Sequence, residues 1–497
     1  MKKQVYNPYL PLNEYIPDGE PHVFGDRVYI FGSHDREGGY TFCMLDYVTY
    51  SAPVNDLSDW RYEGVIYKAE QDPQYMTPGF TNPENPNSEA SLLKYMYAPD
   101  VVCGNDGRYY LYYAFDFLGV IGVAVCDTPD GQYQFYGHVH YDNGDLWGRR
   151  KGDEFPFDPG VLVDDDGRVF LYSGFETHVP AILSRFRSHR NSGGVVLELD
   201  RDMVTIRSGP KLLFPLKTNG APEDFRGHEF FEASSIRKID GKYVFVYSST
   251  NNHELCYAVS DRPDGGFRFG GTLVDLGDLY MDGREDETHA LNYLGNTHGG
   301  MAELGGHWYI FYHRQTNLHS YSRQACAERL ERRPDGGFLQ AEVTSCGLNG
   351  GPLLGVGRYE ARIACNLWSR YGTARYDREF DKQLHLYFTQ TGKDREEAGN
   401  QYITNMQDGS VAGFKYFNLN APSRIALEIS GKAEGSMEVS LNSTFDPLLA
   451  KVPVHLESSA SPSRVLADLS PAQGKQALYF RFSGTGAVNF HAFELFR

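Results

Sequence analysis

One segment type recurs five times in the first two thirds of the chain: a turn containing Gly or Asp, then an alternating run of aromatic and β-branched residues. The instances are GDRVYIFGSHD from Gly25, DGRYYLYYAFD from Asp106, DGRVFLYSGFE from Asp166, DGKYVFVYSST from Asp240 and GGHWYIFYHRQ from Gly305. Each reads as a hairpin turn feeding a strand rich in Tyr, Phe, Val and Ile. A second strand–polar turn–strand element follows, as in VAVCDTPDGQYQFYG and CYAVSDRPDGGFRFGG, with YSAPVNDLSDWRYEG and ACAERLERRPDGGFLQAE in the same part. Repeats roughly 60 to 80 residues apart exceed the ~40 to 50 of a compact four-stranded blade and leave room for long loops. Five such units, from about Val5 to about Thr344, predict a five-bladed β-propeller, which leaves only short, protected sheet edges. Stacked hairpins or a sandwich array are the plainer alternative.

In each unit the strand before the turn is the innermost one, lining the axis. Asp18 and Asp100 stand seven residues before Gly25 and Gly107, Asp158 and Glu232 nine before Gly167 and Gly241, and His298 eight before Gly306. Asp and Glu are among the residues least often buried, so carboxylates converging on an axis call for a reason. A merely polar, wet channel is the bland one. Held close together, like charges raise each other's pKa, and groups perturbed in this way cluster at functional sites. Paired carboxylates without a Ser/His/Asp or Cys/His signature point to glycoside hydrolysis, which needs one carboxyl kept protonated and one kept ionised.

Composition narrows the partners. A net charge of −18 with no basic stretch argues against nucleic acid, which is bound by clustered Lys and Arg. With 35 Tyr, 31 Phe and 41% apolar residues the chain is a folded one rather than a disordered one. No apolar run approaches the ~18 residues of a spanning helix, and the polar, Pro-interrupted N-terminus does not read as a signal peptide. These features predict a soluble, cytoplasmic protein with no membrane partner. Seven scattered cysteines, none in a CxxC pair, indicate neither a disulfide framework nor a zinc site.

The stretches PDGEPHVFGDRVYIFGSHD, YAPDVVCGNDGRYYLYY, FDPGVLVDDDGRVFLYSG, FFEASSIRKIDGKYVFVYS and THGGMAELGGHWYIFYHR with SRQACAERL together resemble glycoside hydrolase family 43, five-bladed propeller enzymes that include β-D-xylosidases and α-L-arabinofuranosidases. The resemblance covers about residues 1–345. It implies Asp18 as general base, Asp158 as the carboxylate that raises and orients the acid, and Glu232 as general acid. It places His298 where many members hold a central hydrated cation, often calcium, or an ordered water. It makes Arg323 a substrate-hydroxyl contact and Tyr97 a wall of the terminal sugar pocket. The base departs from the family's Asp-Pro: the order here is Asp18-Gly19-Glu20-Pro21, so alignment to the turn selects Asp18 and alignment on Pro21 selects Glu20. A strand's register fixes which side chains face the axis, which favours Asp18. Asp100 reads either as a substrate contact or as a turn-bonding residue of the APD loop. His313 reads as a satisfied blade histidine, and Asp164-Asp165-Asp166 as a solvated hairpin turn.

Beyond Thr344 the Gly-rich CGLNGGPLLGVG with Pro352 marks a junction, giving domains 1–345 and 346–497. Alternating runs such as RIALEIS, SMEVSLN and ALYFRFSG predict a β-sandwich. The segments around Tyr402 and Gln473 resemble carbohydrate-binding module family 6, a jelly roll, with Tyr402, Phe414, Tyr416 and Phe417 available for sugar or for core. The chain is thus expected to be all-β and to act as an inverting exo-glycosidase releasing α-L-arabinofuranose from hemicellulose-derived oligosaccharides. A β-D-xylosidase or bifunctional enzyme is the alternative, a non-catalytic sugar-binding propeller the rival of another class, and a retaining relative acting on fructans or sialosides a third. No organic cofactor is expected.

Overall fold

The computed structural model describes residues 3–76, 95–115, 119–177, 190–376, 383–392 and 400–497. Four antiparallel four-stranded sheets and one three-stranded sheet follow one another along the chain. The first blade is β1 (Glu20–Phe24), β2 (Arg27–Phe31), β3 (Tyr47–Pro53) and β4 (Arg61–Tyr67). The second is β5 (Met96–Cys103), β6 (Tyr109–Phe115), β7 (Ile121–Cys126) and β8 (Gln134–His138). The third is β9 (Gly160–Val163), β10 (Val169–Ser173), β11 (Gly193–Leu199) and β12 (Ile206–Pro215). The fourth is β13 (Phe230–Ile239), β14 (Lys242–Ser249), β15 (Glu254–Ser260) and β16 (Arg268–Asp275), and the fifth is β17 (Met301–Leu304), β18 (His307–Gln315) and β19 (Arg323–Leu330). The repeat Gly at each inner hairpin, Gly25, Gly107, Gly167, Gly241 and Gly306, has φ between 64° and 81°, a left-handed conformation that a residue with Cβ adopts at a cost.

The aromatic strands pay out their apolar faces between blades, and five separate cores result. One joins blades one and two through Phe31, Tyr47 and Tyr113, the next blades two and three through Tyr112, Trp147 and Leu197. Phe170, Phe214 and Phe245 join three to four, and Val246, Leu273 and Ile310 join four to five. Val28 and Ile30 meet Phe311 and Ala327 across the last seam, so the ring is closed. The fifth repeat differs from the sequence expectation, because its outer strand does not form. The N-terminal segment takes that edge: Tyr9 N–H donates to Ala325 O at 3.2 Å, and the Asn7 amide bonds Ala327 O at 3.0 Å and Glu328 at 2.7 Å. The residues after Leu330 turn away, and Ala341 bridges to Val274 of the fourth blade instead.

The C-terminal third is a β-sandwich. It comprises β20 (Leu353–Leu354), β21 (Gly357–Glu360), β22 (Asn366–Trp368), β23 (Tyr387–Gln390), β24 (Gln401–Met406), β25 (Val411–Asn420), β26 (Arg424–Ser440), β27 (Leu448–Asp468) and β28 (Gln473–Phe496). The 24-residue β28 ties it together, pairing β26 along its length and β25, β24 and β21 in turn along its other edge. Phe414 and Phe417 are fully buried in its core, which removes both from the set available to sugar. Tyr416, which donates its hydroxyl to Glu342 at 2.7 Å, and Tyr402, stacked on His491 at 4.5 Å, are the half-buried aromatics of that set.

Polar anchors hold this sandwich to the fourth and fifth blades. Lys415, 2% exposed, bonds Asp278 at 2.9 Å and Glu342 at 2.8 Å. Asp278 is fully buried, so removing the cation strands a charge, at a cost of about 3–5 kcal/mol. Lys415→Met is therefore expected to lower stability by about that amount in urea unfolding, and the double variant Lys415→Met/Asp278→Asn to recover most of the loss.

Candidate active site

A pocket of about 190 Å³ opens at one end of the ring, over the starts of the innermost strands. Asp18 lies two residues before β1, Asp158 two before β9, His298 three before β17, and Glu232 is the third residue of β13; all four line the pocket, with Arg323 at the start of β19. The backbone is strained to deliver them. Asp18 has φ +58° and Asp158 φ +44°, and Ala233, next to Glu232, has φ +74°; β13 slips register against β14 on both sides of Glu232. Non-glycine residues held in such conformations gather at functional sites.

Asp18 is buried, which by itself raises its pKa, yet the net shift is downward. The Arg323 guanidinium, 2.9 Å from Oδ1, leads the opposing causes, and the Ser33 hydroxyl donates to Oδ2. Asp35 holds that guanidinium in a two-pronged grip, 2.8 Å from Nε and 3.0 Å from the terminal nitrogen, the strong geometry for Arg and carboxylate. Phe42 lies under it, 4.9 Å from ring centre to guanidinium carbon. His313 also approaches Asp18 Oδ1, at 3.3 Å. Its Nδ1 accepts the Asp18 backbone N–H at 3.2 Å while Nε2–H donates to Asn296 O at 2.8 Å. Burial and Arg323 together push this imidazole down to about 3. It is therefore neutral, and its approach to Asp18 is a contact rather than an ion pair.

Glu232 is driven the opposite way. Burial is the larger cause and repulsion from Asp158 the next, and together they raise its pKa well above the ordinary range despite His298 and Arg323. Asp158 is itself raised by burial, an effect opposed by its hydrogen bond to His298. His298 Nδ1 lies 3.4 Å from Asp158 Oδ2. Burial lowers the His298 pKa, but Asp158, Asp18 and Glu232 outweigh it and lift it to about 9. The pocket thus sets Asp18, whose carboxylate is favoured by Arg323, against Glu232 and Asp158, whose protonated forms are favoured by burial, with one imidazolium between them.

The remaining wall is aromatic and amide. Tyr97 faces the pocket with its ring 5.2 Å from Phe157, and Phe175 stands 4.5 Å from Phe157 and 5.7 Å from Phe231. Asn252 and Asn296 contribute amides, and Asn252 Oδ1 is buried with no hydrogen-bond partner among the described residues. A buried acceptor left open is rare in a folded protein and fits a ligand hydroxyl. Asp35 closes the first repeat segment but has no role assigned there, and Phe42, Asn252 and Asn296 lie outside the repeat segments. Asn252 lies in the turn between β14 and β15, which tertiary structure brings to the pocket.

Two sequence candidates lie elsewhere. Glu20 is buried below the pocket, where Oε1 accepts from Ser235 at 2.8 Å and pairs with Arg237 at 2.5 Å, and it is absent from the pocket wall. Asp100, expected as a substrate contact or a turn-bonding residue, is also outside that wall. Its Oδ1 meets His22 Nε2 at 2.7 Å and its Oδ2 accepts Val161 N–H at 2.6 Å, so it brackets three blades rather than bonding a turn. The register explains the difference, since Asp100 lies mid-strand in β5 whereas Asp18 and Asp158 lie before their strands.

The donors around His298 do not fit a calcium ion ligated by this side chain. Calcium takes 6–8 oxygen ligands. Among the described residues His298 belongs to no group of three His, Cys, Asp or Glu donors within 4.8 Å of one another, so a cation beside it would have to be held largely through its waters.

Residues 25–338 match the family model described as Glycosyl hydrolases family 43. A xylosidase/arabinosidase of Thermoclostridium stercorarium is 44% identical over 502 residues, 100% of this chain and 99% of its own. An arabinoxylan arabinofuranohydrolase of Paenibacillus polymyxa is 25% identical over 96% of this chain and 72% of its own. Among solved structures, the GH43_1 enzyme from Xanthomonas citri complexed with xylotriose superposes with a TM-score of 0.51 at 24% identity, covering 68% of this chain and 94% of that one; at that identity the likeness speaks to fold.

Proposed function

Because the chain belongs to glycosyl hydrolases family 43, and is therefore a glycoside hydrolase, we propose that its pocket removes one terminal pentose at a time, by inversion, from hemicellulose-derived oligosaccharides. The observation that carries this reading is the pair of opposed environments in one small pocket: Glu232 is buried beside Asp158, which pushes its pKa up, while Asp18 lies 2.9 Å from the Arg323 guanidinium, which pulls its pKa down. Glu232 gives its proton to the glycosidic oxygen as the bond to the anomeric carbon breaks. Asp18 takes a proton from the water whose oxygen bonds that carbon on the opposite face. Solvent then returns a proton to Glu232 and removes one from Asp18. Asp158 keeps Glu232 protonated, and His298 supplies the positive charge that the family resemblance otherwise assigns to a hydrated cation.

The cavity volume, about 190 Å³, is below the ~300–1,000 Å³ of drug-sized ligand sites and supports a seat for a single sugar ring, hence exo action. The sugar assigned first is α-L-arabinofuranose. β-D-xylose is the second, and a relative named for both, 44% identical along the whole chain, favours an enzyme that accepts either. The division at residues 345/346 belongs to this reading and is supported by the gap between the last ring strand, β19, and β20. So does the resemblance of the sandwich to carbohydrate-binding module family 6; with Phe414 and Phe417 buried, its support is confined to Tyr402 and Tyr416.

A panel of nitrophenyl glycosides tests the proposal. Turnover of the α-L-arabinofuranoside, the β-D-xylopyranoside or both, with the inverted anomer appearing first by proton NMR, is expected. Binding of pentosides without release of free sugar, or a retained anomer, overturns it. The pH profile of kcat/KM should be a broad bell: activity is lost on the acid side as the depressed Asp18 gains its proton, and on the alkaline side as the raised Glu232 loses its own and His298, lifted to about 9, loses its charge. Removing the Glu232 carboxyl should take the Glu232 step out of the alkaline limb, leaving that of His298, and leave the acid limb in place, measured on a substrate with an activated leaving group.

A further inference from the structure

Two loops that build the pocket are held from outside the ring. One is the turn between β14 and β15, which carries Asn252 at φ +65°. The other is the run into β17, which carries Asn296 and His298. Both converge on Arg375, which lies between β22 and β23 of the C-terminal sandwich.

Arg375 meets the second loop through its backbone. It forms a parallel bridge with Leu294, in which Leu294 N–H donates to Ala374 O at 3.0 Å and Tyr376 N–H to Leu294 O at 2.8 Å. Leu294 is buried and stands two residues before Asn296. The guanidinium reaches the first loop: one terminal nitrogen donates to Asn251 O at 3.1 Å, while the other pairs with Glu287 at 2.6 Å. The side chain is 9% exposed and lies outside the pocket wall. A second strut repeats the pattern, since Leu367 N–H donates to Leu291 O at 3.0 Å. The ring's own hold on this loop, Gln315 on Asn296 Oδ1 at 2.6 Å and His313 on Asn296 O, acts downstream of the bridge.

We propose that Arg375 is a positioning residue of the glycosidase pocket: it clamps the Asn252 turn and the Asn296–His298 loop together, so that sugar affinity depends on the C-terminal sandwich. The inference rests on the pocket being the sugar site proposed above. Asn252 Oδ1 lacks a partner among the described residues, so its direction is set by the turn that carries it, and a shift of about 1 Å in a reacting or binding group costs up to ~100-fold. Lys at this position supplies one point charge and cannot serve Glu287 and the Asn251 carbonyl in the forked geometry of Arg.

The test uses the full chain with Arg375→Ala, Arg375→Lys and, as a control of similar chemistry within the sandwich, Arg481→Ala, whose side chain grips Glu438 at 2.6 and 2.9 Å. Arg375→Ala is expected to raise KM for the nitrophenyl pentosides about 10- to 100-fold with a smaller fall in kcat and an unshifted pH profile. Arg375→Lys should lie between it and the parent, and Arg481→Ala should lower Tm without moving KM. Amide hydrogen exchange over residues 250–253 and 291–298 should quicken in Arg375→Ala and not in Arg481→Ala. Unchanged exchange in those segments, or equal KM changes in Arg375→Ala and Arg481→Ala, overturns the inference. If the parent hydrolyses no pentoside yet exchange quickens as stated, the clamp stands and the glycosidase reading falls.

Discussion

Glu232→Gln is expected to lower kcat/KM on pentose oligosaccharides by about 100- to 10,000-fold, the range that a positioned general acid contributes. The amide keeps the size and pocket contacts of the carboxyl but has no acidic proton. A dinitrophenyl leaving group departs without protonation, so the same variant should retain most of its turnover on a dinitrophenyl pentoside. The ratio between the two substrates is the diagnostic. Stability should move the other way. Burial and Asp158 raise the Glu232 pKa in the folded state, so its contribution is most favourable at low pH and declines as pH climbs through the unfolded value toward the folded one. Replacing it with a neutral amide should therefore raise Tm at neutral and alkaline pH. An equal loss on both leaving groups would remove Glu232 from the role of acid.

Asp18→Asn should abolish turnover on good and poor leaving groups alike, because activating water is needed whichever bond breaks. A loss of about 100- to 10,000-fold is expected. Arg323 keeps its grip on Asp35 in this variant, so the wall should stay in place. The companion is Glu20→Gln, which weakens the buried pair with Arg237. That guanidinium also donates to Pro21 O at 2.7 Å and Met301 O at 2.9 Å, tying β1, β13 and β17 together, so Tm should fall while kcat stays near the parent value. Near-normal activity in Asp18→Asn with an inactive, folded Glu20→Gln would hand the base to Glu20.

Asp18 and Glu20 also show where reading a sequence stops. Two carboxylates two residues apart share a face in a regular strand, and the motif's proline argued for the second. In the folded chain Asp18 precedes β1 in a left-handed conformation, whereas Glu20 opens the strand and is consumed by Ser235 and Arg237. Asp100 was open to two readings for the same reason; its bonds to His22 and Val161 come from two other blades.

Local pattern was sufficient for the ring. The hairpin glycines, the alternating aromatic strands and the carboxylates just upstream are short-range features, and they determined the five blades and the approach of Asp18, Asp158, Glu232 and His298 to the axis. Contacts between distant segments decided the rest. The edge left vacant in the fifth blade is taken by residues 7–9 from the other end of the ring, Asp35 grips the arginine that binds Asp18, and the turn carrying Asn252 is held at Asn251 by an arginine 124 positions away. No spacing in the chain encodes such meetings, because they depend on how blades and sandwich pack once each has formed.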